Sequence, residues 1–194
     1  MDTWSMRIQQ WRNESPAKGA NETAQRLLDQ IDTPILLSEL EYYMASLYNN
    51  DGPNMIQAKR AEGPEDFHVL LSSVETMKRY KARIRAIGLS ASKYVRHADE
   101  LYDLIKKTLQ LRPEFQELRT ADMRESTVRL VARELVELKS KLEEVVEASK
   151  EVSNAYSDYF NAAALEYNIV NSMSYYRGLY DAGSARTNSG PRKF

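Results

Sequence analysis

Apolar residues recur every three and four positions along two long stretches of this chain, and the polar residues between them never interrupt the phase. In the second stretch Val128, Val131, Leu135, Leu138, Leu142, Val145, Ser149, Val152, Tyr156, Tyr159, Ala163, Glu166, Val170 and Met173 hold one heptad register, with Ser149 and Glu166 as its polar members. The surrounding run 114–177 is 64 residues without glycine or proline. It predicts a helix of about 55 residues, about 80 Å long at a rise of 1.5 Å per residue. The first stretch places Leu70, Val74, Met77, Lys81, Ile84, Gly88, Ala91, Val95, Ala98, Tyr102, Ile105 and Leu109 on one seam. Gly88 costs about 1 kcal/mol inside a helix, yet the phase passes through it unbroken and predicts one helix. Leu111, Arg112 and Pro113 end that helix, and Thr120 or Asp122 starts the next. Two long helices joined by a short loop predict an antiparallel hairpin over 63–181, with helices at about 65–111 and 121–181.

Ahead of the hairpin, residues 1–62 read as shorter helices that pack on the bundle or extend it. Trp4, Ile8 and Trp11 mark one face of a helix over 2–13, with Thr3 as its cap. Asn21 is placed to cap a second helix carrying Leu27, Leu28 and Ile31. Thr33 and Pro34 read as a capping side chain followed by proline at the first helical position. The helix they open offers Leu36, Leu40, Tyr43 and Leu47 on one face and stops at the turn-forming cluster 49–53. Residues 54–62 fit no single element. At the other end, Gly178 and Gly183 mark the end of the long helix, and 182–194 reads as a flexible basic tail. The fold class is therefore all-α: a long antiparallel helical hairpin or coiled-coil bundle with smaller N-terminal helices. Reach of this kind suits scaffolding, oligomerisation or laying out a polymer better than enclosing a small substrate.

Charge adds a second signal. The 27 Lys and Arg residues nearly balance the 28 Asp and Glu residues, so any attraction to a polyanion must come from local segregation. Between Glu75 and Asp99 there is no acid, while Lys78, Arg79, Lys81, Arg83, Arg85, Lys93 and Arg96 are all basic. A fold about residue 116 sets 78–96 opposite 136–154, which holds Glu137, Glu143, Glu144, Glu147 and Glu151. Two readings follow. Lys78, Arg79, Arg83, Arg85, Lys93 and Arg96, interleaved with Tyr80 and Tyr94, match what single-stranded DNA needs: cations along a line for phosphates and ring faces for bases. Alternatively, the same cations pair with the glutamates opposite and do nothing else.

The chemistry of catalysis is poorly represented. There is no cysteine, and the two histidines, His68 and His97, lie far from any metal-ligand spacing. No phosphate-binding loop, nucleophile elbow or di-metal Glu-x-x-His pair occurs. The chain reads as a nonenzyme with no cofactor and no metal. No run approaches a membrane span or a signal peptide, which predicts a soluble protein of the cytoplasm, the host's if the chain is viral. The distal half of the long helix is apolar beyond one seam, and Val152, Tyr156, Tyr159, Phe160 and Tyr167 are expected to pack on the N-terminal helices or on another subunit of a homo-oligomer.

The order of elements also resembles a family. An aromatic helix (Glu41-Tyr42-Tyr43-Met44 through Leu47-Tyr48) precedes a basic-to-apolar helix ending Ala98-Asp99-Glu100-Leu101-Tyr102-Asp103-Leu104-Ile105. A turn, Glu117-Leu118-Arg119-Thr120-Ala121-Asp122-Met123-Arg124, leads into the long helix that closes on Tyr176-Arg177-Gly178-Leu179-Tyr180. In layout, over residues 35–180, this resembles the UvsY-type recombination mediators of tailed phages. The resemblance implies a noncatalytic, ring-forming protein that binds single-stranded DNA and loads a RecA-like recombinase in place of the single-strand-binding protein. The competing expectation is a helical structural, scaffolding or DNA-packaging protein acting through protein contacts alone.

Overall fold

The computed structural model describes residues 3–48 and 64–187, and every element among them is helical. The turn at 49–53, the ambiguous stretch that follows it and the tail from 188 lie outside the described residues, as do the side chains of Glu166 and Tyr167. The helices are α1 (Thr3–Arg12), α2 (Ala17–Gln30), α3 (Thr33–Tyr48), α4 (Pro64–Gln110), the single turn α5 (Pro113–Gln116), α6 (Ala121–Val131) and α7 (Arg133–Thr187). They form two compact units, one of residues 1–40 with 85–150, the other of 41–84 with 151–194. The helices α3, α4 and α7 each contribute to both.

In the first unit the C-terminal half of α4 runs antiparallel to α6 and the start of α7. Ala91, Ala98, Ile105 and Leu109 face Val128, Val131, Leu135, Leu138, Leu142 and Val145, all of them buried. These are the seam positions that the 4 and 3 spacing predicts. The pairing is offset from a fold about residue 116. Asp99 faces Lys139 and Gly88 faces Ser149, five or six positions further along α7. The turn is longer than a simple loop because it contains α5, whose Phe115 is buried, and because Thr120 rather than an earlier residue caps α6, accepting from Met123 N.

The N-terminal helices close the first unit. Trp11 is buried, with its ring 6.3 Å from that of Phe115 and edge-on to Trp4 at 5.6 Å. The helix α2 buries a face of small residues, Ala17, Ala20, Asn21 and Ala24, rather than Leu27, Leu28 and Ile31. Asn21 is thus inside α2 and not its cap, since α2 already begins at Ala17. At the next helix Asp32, not Thr33, is the capping side chain, with Oδ1 accepting from Ile35 N. Thr33 is the first helical residue and is buried.

Two more boundaries differ from the pattern. The second long helix is interrupted at Ala132, so α6 and α7 are separate. At its far end α7 runs past Gly178 and Gly183 to Thr187. Gly178 keeps a negative φ, whereas a glycine that ends a helix takes the left-handed conformation with positive φ.

Candidate nucleic-acid interface

The basic residues divide between the two units. In the first, Arg85, Lys93 and Arg96 are exposed on α4 and Tyr94 is half-buried. Ile87, Ala91 and Ala98 take the buried side of the same helix, which leaves the cations on the side away from the seam. Arg96 borders a shallow groove that also holds Asp99, Glu143, Glu147 and Lys150. Those carboxylates offset its field, so Arg85 and Lys93 are the less screened cations of this unit. In the second unit Lys78 and Arg79 are exposed. Lys81 is half-buried, with Nζ 5.6 Å from the centroid of the Phe160 ring, and Arg83 is exposed but has an interaction partner of its own.

Direct pairing with the facing glutamates is absent for five of these cations. Among the described residues, Lys78, Arg79, Arg85, Lys93 and Arg96 form no ion pair. The displaced register is the reason. Lys139 of α7 takes Asp99 of α4, the reverse of the polarity that a fold about residue 116 implies. Lys106 takes Glu125 at 3.0 Å nearer the turn. Glu137 and Glu143 pair within α7, with Lys141 and Lys139.

The aromatic partners differ. Tyr80 is half-buried in a cluster of rings, 4.9 Å from Tyr43, 6.2 Å from Tyr156 and 6.5 Å from Tyr42. A hydrogen bond with Tyr42, then burial, raises its pKa above the ordinary tyrosine value. Its faces are engaged by its own chain, which leaves Tyr94 as the aromatic residue of the basic stretch outside that cluster.

Tyr156 anchors the cluster. It is fully buried, and its hydroxyl donates to Tyr43 O at 2.8 Å and lies 2.7 Å from Ser46 Oγ. Burial pushes its pKa up to about 12. Val152 is buried too, and Tyr159 and Phe160 are half-buried. Val152 and Tyr156 are therefore buried within one chain, Tyr156 against the C-terminal part of α3. Among the described side chains, the large apolar ones that α7 leaves in solvent are Leu165, Ile169, Met173 and Tyr175, between 50% and 68% exposed. Periodicity alone could not single them out, since it treats both sides of a broad apolar helix alike.

Among the described residues, no group of His, Asp and Glu is placed to hold a metal ion, and no helix is long and apolar enough to cross a membrane. A cleft of about 760 Å³ at the turn of the hairpin is lined by Lys106, Arg124, Asp122 and Glu125 above Phe115 and Val128. Its charges are largely spent internally, with Lys106 on Glu125 and Arg124 donating to the carbonyls of Leu118 and Gln116. No protein-family model, no curated protein and no solved structure matches the chain.

Proposed function

We propose that this chain is a noncatalytic, oligomeric protein that binds single-stranded DNA and presents it to a RecA-like recombinase, as the resemblance to UvsY-type mediators implies. The observation that supports this reading is that the exposed α4 cations Lys78, Arg79, Arg85 and Lys93 form no ion pair among the described residues. Unpaired surface cations cost little to keep and release counterions when a polyanion arrives. Because Tyr80 is engaged by Tyr42, Tyr43 and Tyr156, phosphate contacts carry most of the affinity, and stacking on Tyr94 adds at most about 1–3 kcal/mol. The test is fluorescence anisotropy of a labelled single strand of about 30 nucleotides at two salt concentrations, beside the matching duplex. Salt-steep binding that favours the single strand is expected. The double variant R85A/K93A should bind more weakly, with a salt slope lower by about 1.4, or about 0.7 per lost contact. Absence of binding at low salt, or an unchanged slope in the double variant, would remove this site.

A second reading has its own support. Between Asp158 and Arg177, Glu166 is the sole charged residue, and Leu165, Ile169 and Met173 are exposed there. Depletion of charge with exposed apolar side chains is the composition of a protein contact. On this reading the chain is a helical assembly or scaffolding subunit, and strong self-association without DNA affinity is the result that would favour it.

A further inference from the structure

The interruption between α6 and α7 falls at Ala132. Alanine has the highest helix propensity of any residue, and this one lies within a run of 64 residues free of glycine and proline. The apolar register does not slip there either: Val128, Val131, Leu135 and Leu138 keep their 3, 4, 3 spacing and are all buried. Local sequence therefore asks for a continuous helix, and Ala132 instead sits at φ −101° and ψ 33°.

What replaces the helical bonds comes from α1 and α2. A helix ending at Val131 leaves its last carbonyls without intrahelical donors. Ala132 N reaches Val128 O at 2.9 Å. Asn21 Nδ2 of α2 donates to Val131 O at 2.8 Å, and Arg12 Nη1 of α1 donates to Leu130 O at 3.1 Å. The other arm of the Arg12 fork pairs with Glu134 Oε1, in the first turn after the interruption. The arrangement carries a cost. Asn21 Oδ1 and Glu134 Oε2 are buried here without a hydrogen-bond partner, and an unsatisfied buried acceptor is destabilising.

From this we infer that α6 and the start of α7 are one helix held open by α1 and α2, which act as a latch on the closed end of the hairpin. When Asn21 and Arg12 let go, Val131 O can take back the N–H of Leu135, the two unsatisfied acceptors return to water, and the helix closes through Ala132. Trp11 and Phe115, now packed together, come apart in the same event. A partner that draws α1 and α2 away is thereby coupled to the conformation of the hairpin, by as much as its affinity differs between the latched and unlatched forms. This inference does not depend on the DNA-binding reading.

The test is amide hydrogen exchange, read residue by residue on the full chain, in the wild type and in R12A/N21A. Exchange at Arg133, Glu134 and Leu135 is expected to slow by about tenfold or more in the variant while the amides of α1 and α2 exchange faster. Loosened N-terminal helices with unchanged exchange at 133–135 would overturn the inference, because the interruption would then be intrinsic. If the double variant does not fold, the single variants R12K and N21S decide the matter. Slowed exchange at 133–135 in either supports the latch, and unchanged or faster exchange in both overturns it.

Discussion

A Cβ at residue 88 would fall well inside van der Waals contact of Ser149 Oγ. Gly88 is therefore a point of close approach between α4 and α7, and the hydroxyl that fills the space is itself held, donating to Val146 O at 2.8 Å. The sequence showed a glycine in helical phase but not its purpose, since the residue that needs the space lies 61 positions away. Alanine at this position would improve helix propensity by about 1 kcal/mol, whereas overpacking costs about 1–3 kcal/mol. The expected result is that G88A lowers stability in urea unfolding and that G88A/S149A recovers most of the loss. A more stable G88A, or two additive substitutions, would show that the contact is loose.

At the scale of elements, two tyrosines tie helices together through their hydroxyls. Tyr156 fastens α7 to α3, and Tyr102 fastens α4 to α6 by donating to Glu125 Oε1 at 2.7 Å. Both have pKa values raised to about 12, chiefly by burial. The folded chain thus holds these protons more tightly than the unfolded chain, in which tyrosine titrates near 10. Their stabilisation is complete below about pH 10 and is lost as the pH rises towards about 12. Thermal melts followed against phenolate absorbance should show unfolding coupled to tyrosine ionisation in that window, and Y102F should weaken the coupling. Glu125 has the opposite sign. The Tyr102 hydroxyl, then Lys106, holds its carboxyl below the usual 4.5, so its contribution is present above that pH and is lost on acidification through the lowered value. E125Q should flatten the decline in Tm on the acid side; an unchanged acid limb would assign that decline to other carboxylates.

For the molecule as a whole, the question is what the exposed apolar part of α7 meets. Leu165 is 63% and Ile169 50% exposed, on a stretch where charge nearly vanishes. Light scattering of the wild type at increasing concentration should show association, and L165E/I169E should abolish it while leaving the melting of the buried Tyr156 cluster unchanged. A monomeric wild type at all concentrations would remove this face as a subunit contact. Loss of both association and folding in the variant would place Leu165 and Ile169 in the core instead.

Periodicity and punctuation determine the helical class, the hairpin and most of its seam. Apolar side chains at 3 and 4 spacing must share one side of a helix, and a short connection leaves two such helices antiparallel. The buried positions Ala91, Ala98, Ile105, Leu135, Leu138 and Leu142 were legible for that reason. The candidate cations were legible as a charge run, but the lack of an ion pair at Lys78, Arg79, Arg85, Lys93 and Arg96 among the described residues was not. It depends on which turn of α7 lies opposite, an offset visible only in the tertiary pairing of Asp99 with Lys139 and of Gly88 with Ser149. The interruption at Ala132 and the commitment of Tyr80 and Tyr156 were also invisible in the sequence. Each rests on a side chain more than 30 residues distant, Asn21 and Arg12 for the first and Tyr43 for the second, and only tertiary structure brings such groups within hydrogen-bonding or ring-contact distance.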